Sequence, residues 1–126
     1  MPPITRKRVL LVEDEEATYK VLTVVFEEGG FEVFHTMAGG KALDIAAQEK
    51  PDIVLLDLVL PGFSGLDVLA NLKNNPRTHD IPVLILSQLS DQDSISRGIA
   101  LGAMGYLVKS EYQLEDILKK VKEILK

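Results

Sequence analysis

Five short apolar runs recur along the chain, and a stretch of helical periodicity follows each of them. The runs are Val9–Val12, Phe31–Thr36, Ile53–Leu56, Pro82–Leu86 and Tyr106–Val108. Several are continuous rather than alternating, which is typical of strands covered on both faces. The last stretch has the clearest helical pattern, because its apolar residues from Leu114 to Leu125 fall on one face. The alternation predicts an α/β fold: a doubly wound parallel sheet with helices on both faces.

Turn and capping signals indicate where the helices begin and end. Gly29 and Gly30 predict the end of the first helix. Three serines, each followed three positions later by Asp or Gln, predict the starts of later helices: Ser64, Ser90 and Ser110. In a sheet of this kind, ligands bind at the carboxyl ends of the strands, where the strand order reverses. The polar residues at those ends are therefore the first candidates for function.

Length and composition limit the classes of protein to consider. The 126 residues suit a single domain over 1–126, with a core from about residue 8 and an N-terminal extension over 1–7. No apolar run approaches ~18 residues, so we expect no membrane span and no signal peptide. The chain has no cysteine, which excludes thiolate sites and suits a cytoplasmic protein. The formal net charge of −5 argues against direct nucleic-acid binding.

Polar side chains stand at the carboxyl ends of four predicted strands. Glu13 and Asp14 follow the first strand, Asp57 the third, Ser87 the fourth and Lys109 the fifth. Three carboxylates that converge in a poorly solvated cleft repel one another, so we expect a cation to offset them. Oxygen ligands of this kind suit Mg²⁺, and the lysine offers a second positive charge.

Each of these residues, taken alone, has a simpler explanation. Asp14 is equally explained as the N-cap of the first helix, Ser87 as a turn residue and Lys109 as a surface lysine. Asp57 is harder to explain in this way, because a charge after a buried strand is costly unless it is paired. The joint occurrence of all of them at one predicted edge favours a functional site.

Four blocks of sequence contain the candidate residues: Glu13-Asp14, "LLDLVLPGFSGLDVL" (55–69), "PVLILS" (82–87) and "GAMGYLVKS" (102–110). Together they resemble the receiver domains of two-component response regulators. The resemblance covers the chain from about Arg8 to its end. It implies a flavodoxin-like fold, with a five-stranded parallel sheet in the order 2-1-3-4-5.

The resemblance also implies a phosphoacceptor and a metal site. Asp57 is similar to the aspartate that takes a phosphoryl group from a phosphohistidine. Glu13, Asp14 and Asp57 resemble the Mg²⁺ ligands of the family, together with the backbone carbonyl of Val59. Mn²⁺ is expected to substitute for Mg²⁺. A receiver of this kind assists its own phosphorylation and dephosphorylation and is not a conventional turnover enzyme.

Three further residues resemble the parts of the family that respond to the phosphoryl group. Lys109 looks like the lysine that pairs with the phosphoryl oxygens, and Ser87 like the hydroxyl that hydrogen-bonds to them. Tyr106 looks like the aromatic switch residue that turns inward when the hydroxyl moves. The expected result is a repacked surface formed by the fourth helix, the fifth strand and the fifth helix.

The implied partners follow from this mechanism. A histidine kinase or a phosphotransfer protein would donate the phosphoryl group. A downstream target protein or an effector domain would read the repacked surface, and the same surface would support a homodimer.

Two residues depart from the family pattern. Ser110 replaces the proline that usually follows the lysine, and we expect it to cap the last helix together with Gln113. Gln88 stands where a small residue is usual, and its longer side chain is expected to narrow access to the phosphoryl group. The two histidines, His35 and His79, are expected to lie too far apart to form a site.

The same residues bear on three other functions. A receiver fold that acts as a phosphorylation-independent interaction domain is the main alternative. A flavodoxin-like FMN or nucleotide binder is disfavoured, because the acidic loop at 13–16 would repel phosphate. A haloacid-dehalogenase-type phosphatase would need a second aspartate two residues after the nucleophile, where this chain has Val59.

Overall fold

A computed structural model describes residues 6–126 and shows a five-stranded parallel sheet. The strands are β1 (Lys7–Val12), β2 (Phe31–Thr36), β3 (Ile53–Leu56), β4 (Val83–Ser87) and β5 (Gly105–Val108). Their order in the sheet is β2-β1-β3-β4-β5, and all of the pairings are parallel. The predicted fold class and strand order are confirmed.

Helices cover both faces of the sheet, as predicted. They are α1 (Glu16–Glu28), α2 (Gly39–Glu49), α3 (Gly65–Asn74), α4 (Gln92–Ala100) and α5 (Leu114–Ile124). Buried residues of α1 and α5 pack on one face, and buried residues of α2 and α3 pack on the other. The α4 helix packs closely on the second face, where a side chain at Gly98 would meet Ile85.

Burial on both faces explains why the sequences of the central strands do not alternate between apolar and polar residues. In β1, Val9 and Leu11 join the core beneath α1 and α5, whereas Leu10 and Val12 join the core beneath α2 and α3. All four are at most 1% exposed, and burial of each such side chain contributes about 1.5–3 kcal/mol. The strand is therefore anchored on both faces up to its carboxyl end, where the polar residues begin.

A short β-hairpin connects β3 to α3, and the sequence did not predict it. Val59–Leu60 pairs antiparallel with Phe63–Ser64, and Gly62 turns the chain with a φ of 69°. Gly65 then passes so close to the end of β3 that a Cβ atom there would lie 2.4 Å from the backbone oxygen of Asp57. The start of α3 is thus packed directly against the backbone of that aspartate.

The capping predictions have mixed outcomes. Ser64 caps α3 as predicted, with its hydroxyl accepting from the Leu66 N–H at 3.2 Å. The prediction for Ser90 is wrong, because Asp91 is the N-cap of α4 and accepts from the Ser94 N–H at 3.0 Å. A carboxylate at this position satisfies the free N–H and also complements the positive end of the helix dipole.

Two further predictions concern the start of α5 and the end of α1. The prediction for Ser110 is wrong, because Lys109–Glu111 form a 3₁₀ turn and α5 begins only at Leu114. Gln113 is its N-cap and forms a capping box with Asp116. The first helix ends at Gly29 and Gly30, as predicted.

The N-terminus and the length of the helices bear on two further expectations. The predicted N-terminal extension lies mostly outside the described residues, and β1 already begins at Lys7. Within residues 6–126, no helix combines the length and the apolar character needed to cross a membrane.

Candidate functional site

An open pocket lies at the carboxyl edge of the sheet. Its volume is about 300 Å³, and it is lined by Glu13, Asp14, Glu15, Asp57, Val59, Gln88 and Lys109. Five of these residues are the predicted metal, phosphoacceptor and lysine positions, which the structure therefore brings together. Gln88 also borders the pocket, as expected from its place in the sequence.

Glu13 is the most tightly held residue of the pocket. Its backbone N–H donates to the Thr36 carbonyl at 3.1 Å, and its carbonyl lies 2.8 Å from His35 Nε2. Its side-chain Oε1 accepts from the Glu15 N–H at 3.1 Å and from Lys109 Nζ at 3.0 Å. The residue is 3% exposed. Both its backbone and its carboxylate are thus fixed by neighbouring elements.

Asp57 is held at the end of β3. Its N–H donates to the Val12 carbonyl at 3.0 Å, which continues the pairing of β3 with β1. One carboxylate oxygen, Oδ1, accepts from the Val59 N–H at 3.0 Å, and the other, Oδ2, accepts from Lys109 Nζ at 3.1 Å. Because the backbone and both carboxylate oxygens have partners, the carboxylate is presented to the pocket in one orientation.

Lys109 crosses the pocket and bridges two carboxylates. Its Nζ lies 2.9 Å from Glu13 Oε2 and 3.1 Å from Asp57 Oδ2. Burial by itself would lower the pKa of this ammonium, but the hydrogen bond to Glu13 and the charge of Asp57 outweigh burial, so the pKa is raised. The lysine is therefore a fixed positive charge at neutral pH.

The same surroundings raise the pKa of the Glu13 carboxyl. Burial is the largest cause, and the negative charge of Asp57 adds to it, while the hydrogen bond from Lys109 acts in the opposite direction. A raised pKa means that the negative charge on Glu13 is incompletely compensated by the protein.

The donor set fits a divalent cation. Glu13, Asp14 and Asp57 each offer a carboxylate oxygen, and these oxygens all lie within 4.8 Å of one another. One lysine among three carboxylates leaves a formal excess of negative charge. Carboxylate oxygens suit Mg²⁺, Ca²⁺ and Mn²⁺, so the residues have the chemistry that such an ion requires.

Ser87 and Tyr106 lie beside the pocket and do not line it. Ser87 is fully buried, and its Oγ accepts from the Leu89 N–H at 3.1 Å. The Tyr106 hydroxyl donates to the Leu89 carbonyl at 2.7 Å. Burial raises the pKa of Tyr106. The two predicted switch residues therefore hold the same residue, in the loop between β4 and α4.

The family comparison bears directly on this pocket. A model of the response regulator receiver domain matches residues 9–122, which contain every residue that lines it. The chain belongs to the receiver domain family of response regulators. The resemblance to receiver domains is therefore confirmed.

Curated relatives of this receiver domain are longer proteins. The DNA-binding dual master transcriptional regulator RpaA of Synechocystis is 34% identical over 119 residues, which cover 94% of this chain and 49% of RpaA. The phosphate regulon transcriptional regulatory protein PhoB of Rhizobium meliloti is 35% identical over 120 residues, with 94% and 52% covered. The chain spans about half the length of these two relatives.

A solved structure also matches the receiver domain along nearly its whole length. The phosphorylated cyanobacterial phytochrome response regulator RcpA is 30% identical, with a TM-score of 0.83 and with 96% of this chain and 94% of that chain covered. The likeness supports the same arrangement of strands and helices.

Sequence reasoning missed the contribution of His35. The sequence predicted only that it would lie too far from His79 to form a site with it. The structure places it against the backbone of Glu13, whereas His79 lies 3.1 Å from Asp80. The pairing of β1 with β2 was the available signal, because Leu11 pairs with His35 next to the acidic turn.

Proposed function

We propose that this receiver domain is a phosphorylation-activated switch. Asp57 accepts a phosphoryl group from the phosphohistidine of a histidine kinase or a phosphotransfer protein. The observation that carries the proposal is the Asp57 carboxylate, held at the rim of an open pocket with Lys109 Nζ at 3.1 Å and two further carboxylates beside it. Membership of the receiver family supports the same function.

The transfer needs little from the protein beyond positioning and charge. A carboxylate oxygen of Asp57 forms a bond to phosphorus, while the bond from phosphorus to the donor histidine nitrogen breaks and its electron pair stays on that nitrogen. Lys109 lies where it can neutralise charge on the transferred group. Glu13, Asp14 and Asp57, with the Val59 carbonyl, would hold Mg²⁺ or Mn²⁺, which supplies further charge stabilisation.

Leu89 offers a route from the phosphoryl group to the surface. The Ser87 hydroxyl now accepts from the Leu89 N–H, and a phosphoryl oxygen beside Asp57 would attract the same hydroxyl as a donor. Movement of Ser87 would release Leu89, whose carbonyl also holds the Tyr106 hydroxyl. The change therefore passes to Tyr106 and α4 and repacks the surface of α4, β5 and α5.

The proposed output is a change of partner. The repacked surface would regulate a downstream target protein or an effector domain, or would join two copies of the receiver. PhoB and RpaA are named as transcriptional regulators, which is the kind of output that an effector domain would provide. In this proposal the domain assists its own phosphoryl transfer and hydrolysis and is not a conventional turnover enzyme.

The test is to incubate the purified protein with MgCl₂ and acetyl phosphate and to measure its intact mass. We expect the wild type to gain the mass of one phosphoryl group, and a chelator to prevent the gain. Asp57→Asn should show no adduct, because the amide is not a nucleophile of this kind. Asp52→Asn is the matched control, since Asp52 precedes β3 at the opposite edge of the sheet, and it should behave like the wild type. An unmodified wild type, or an equal adduct on Asp57→Asn, would contradict the proposal.

A further inference from the structure

The backbone of Glu13 is held by β2 through contacts that the phosphoryl transfer itself does not use. The Glu13 N–H donates to the Thr36 carbonyl at 3.1 Å, and the Glu13 carbonyl lies 2.8 Å from His35 Nε2. A carbonyl oxygen can only accept, so the Nε2 atom carries the hydrogen and donates it. The ordinary pairing of β1 with β2 supplies the first contact, whereas the second needs a donor side chain at position 35.

The His35 ring has a fixed orientation. It stacks on the ring of Tyr19, with 3.7 Å between the centroids and 5° between the planes. Tyr19 belongs to α1, the helix that begins at Glu16, directly after the acidic turn. The stack holds the imidazole plane between α1 and the end of β1, so that Nε2 faces the Glu13 carbonyl.

That carbonyl belongs to the peptide group that joins Glu13 to Asp14. A peptide group is planar, so a hydrogen bond to its oxygen limits rotation of the whole unit. The side chains on either side of this unit are two of the three clustered carboxylates. Without a divalent ion their like charges repel each other, and rotation of the peptide would be one way for them to separate.

We propose that His35 is a positioning residue for the divalent cation site. Its imidazole fixes the Glu13–Asp14 peptide, and thereby the spacing of the two carboxylates, before the ion binds. The inference rests on the proposed function for the identity of the ion. Removal of a partner that orients a metal ligand typically weakens metal binding by about 10–100-fold. Because His35 acts through the backbone, we expect its removal to weaken Mg²⁺ binding by about tenfold, the lower limit of this range.

Two substitutions separate the hydrogen bond from the packing. His35→Phe keeps an aromatic ring that can stack on Tyr19 but has no donor, whereas His35→Gln keeps an N–H donor without the ring. His79→Phe is the matched control, because it makes the same change at a histidine that contacts Asp80 and not the backbone of Glu13.

The first measurement is the dissociation constant for Mg²⁺, by isothermal titration calorimetry without any phosphodonor. We expect His35→Phe to bind about tenfold more weakly than the wild type. His35→Gln should recover most of the affinity, and His79→Phe should leave it unchanged.

The second measurement is the rate of phosphorylation by acetyl phosphate over a range of Mg²⁺ concentrations. For His35→Phe, we expect a higher half-saturating Mg²⁺ concentration and an unchanged rate at saturation. A role only in packing would instead spare His35→Phe and damage His35→Gln.

The outcomes distinguish this inference from the proposed function. If the wild type binds Mg²⁺ and becomes phosphorylated, and His35→Phe binds Mg²⁺ equally well, the inference is wrong and the proposed function stands. If His35→Phe does not fold, an unweakened affinity in a folded His35→Leu variant would contradict the inference in the same way. A wild type that binds no Mg²⁺ would overturn both.

Discussion

Two clusters that each contain three carboxylates lie at opposite edges of the sheet, one near each end of β1. At the amino edge, the Arg8 guanidinium pairs with Glu32 and Glu49, while Asp52 accepts from the Arg8 backbone N–H and lies 4.0 Å from Lys7 Nζ. At the carboxyl edge, one lysine shares a pocket with three carboxylates: Lys109 with Glu13, Asp14 and Asp57. We refer to them as the Arg8 cluster and the Lys109 cluster.

Solvent exposure separates the two clusters. In the Arg8 cluster the side chains of Glu32, Glu49 and Asp52 are 52%, 37% and 36% exposed. In the Lys109 cluster those of Glu13 and Asp57 are 4% and 6% exposed. Water and a second cation, Lys7, offset the carboxylates of the first cluster, whereas the buried carboxylates of the second have only Lys109. In our proposal a bound cation supplies the counter-charge that the second cluster lacks.

The largest expected difference comes from removing each cation. Lys109→Met leaves two buried carboxylates unpaired, which should cost about 3–5 kcal/mol of unfolding free energy. Arg8→Met removes a partly exposed partner and should cost about 1 kcal/mol. Urea denaturation in the presence of a chelator measures both, and similar losses for the two variants would show that burial does not separate the clusters.

Adding a divalent ion should stabilise the protein through the Lys109 cluster alone. At a Mg²⁺ concentration one hundred times the dissociation constant, binding to the folded state alone should raise the free energy of unfolding by about 2.7 kcal/mol. Asp14→Asn should lose most of this gain, whereas Asp52→Asn in the Arg8 cluster should keep it. Thermal unfolding in MgCl₂ and in NaCl of equal ionic strength is the measurement. Equal melting temperatures of the wild type in the two salts would contradict the prediction.

The smallest expected effect concerns one carboxylate from each cluster. The pKa of Glu13 is raised in the folded protein above its ordinary value of 4.5, chiefly by burial. Above the raised pKa, the folded protein keeps the buried Glu13 carboxyl charged, and this charge lowers the free energy of unfolding. Without metal, Glu13→Gln should melt a few degrees higher than the wild type at neutral pH. Glu49→Gln removes the charge of a solvent-exposed partner of Arg8, and this variant should melt at the same temperature as the wild type or slightly lower.

The pH dependence checks the sign of this effect. The advantage of Glu13→Gln should be complete above the raised pKa, because the folded wild type then carries the charge. It should shrink as the pH falls through that pKa towards 4.5 and below, where folded and unfolded wild type are both protonated. An advantage that persists undiminished in acid would mean that the variant acts through packing and not through charge.

The sequence predicted the architecture and the membership of the Lys109 cluster for one reason. Each signal is carried by residue type at a strand or at its end, and parallel strands bring their carboxyl ends to a single edge. Asp57 and Lys109 are 52 positions apart in the chain and 3.1 Å apart in space. No local property of the sequence shows that these residues are neighbours. The alternation of strands and helices does, because it places both residues at the carboxyl edge of one parallel sheet.

Contacts with the backbone were not predictable in the same way. His35 and Leu89 contribute through bonds that involve a main-chain N–H or carbonyl, which every neighbouring residue also possesses. The start of α4 was misplaced because Ser90 and Asp91 are adjacent and both are good caps. In the structure Asp91 is the N-cap. The short hairpin at 59–64 has too few residues to show a periodic pattern.

The close approach of Gly65 to the end of β3 has a consequence for genetic variation. Any larger residue there would collide with the backbone that carries Asp57 and with Leu58. A mutational scan should therefore find position 65 nearly as intolerant as position 57, although glycine has no side chain with which to touch an ion or a phosphoryl group. Intolerance in this domain will therefore mark the residues that position Asp57 as well as Asp57 itself.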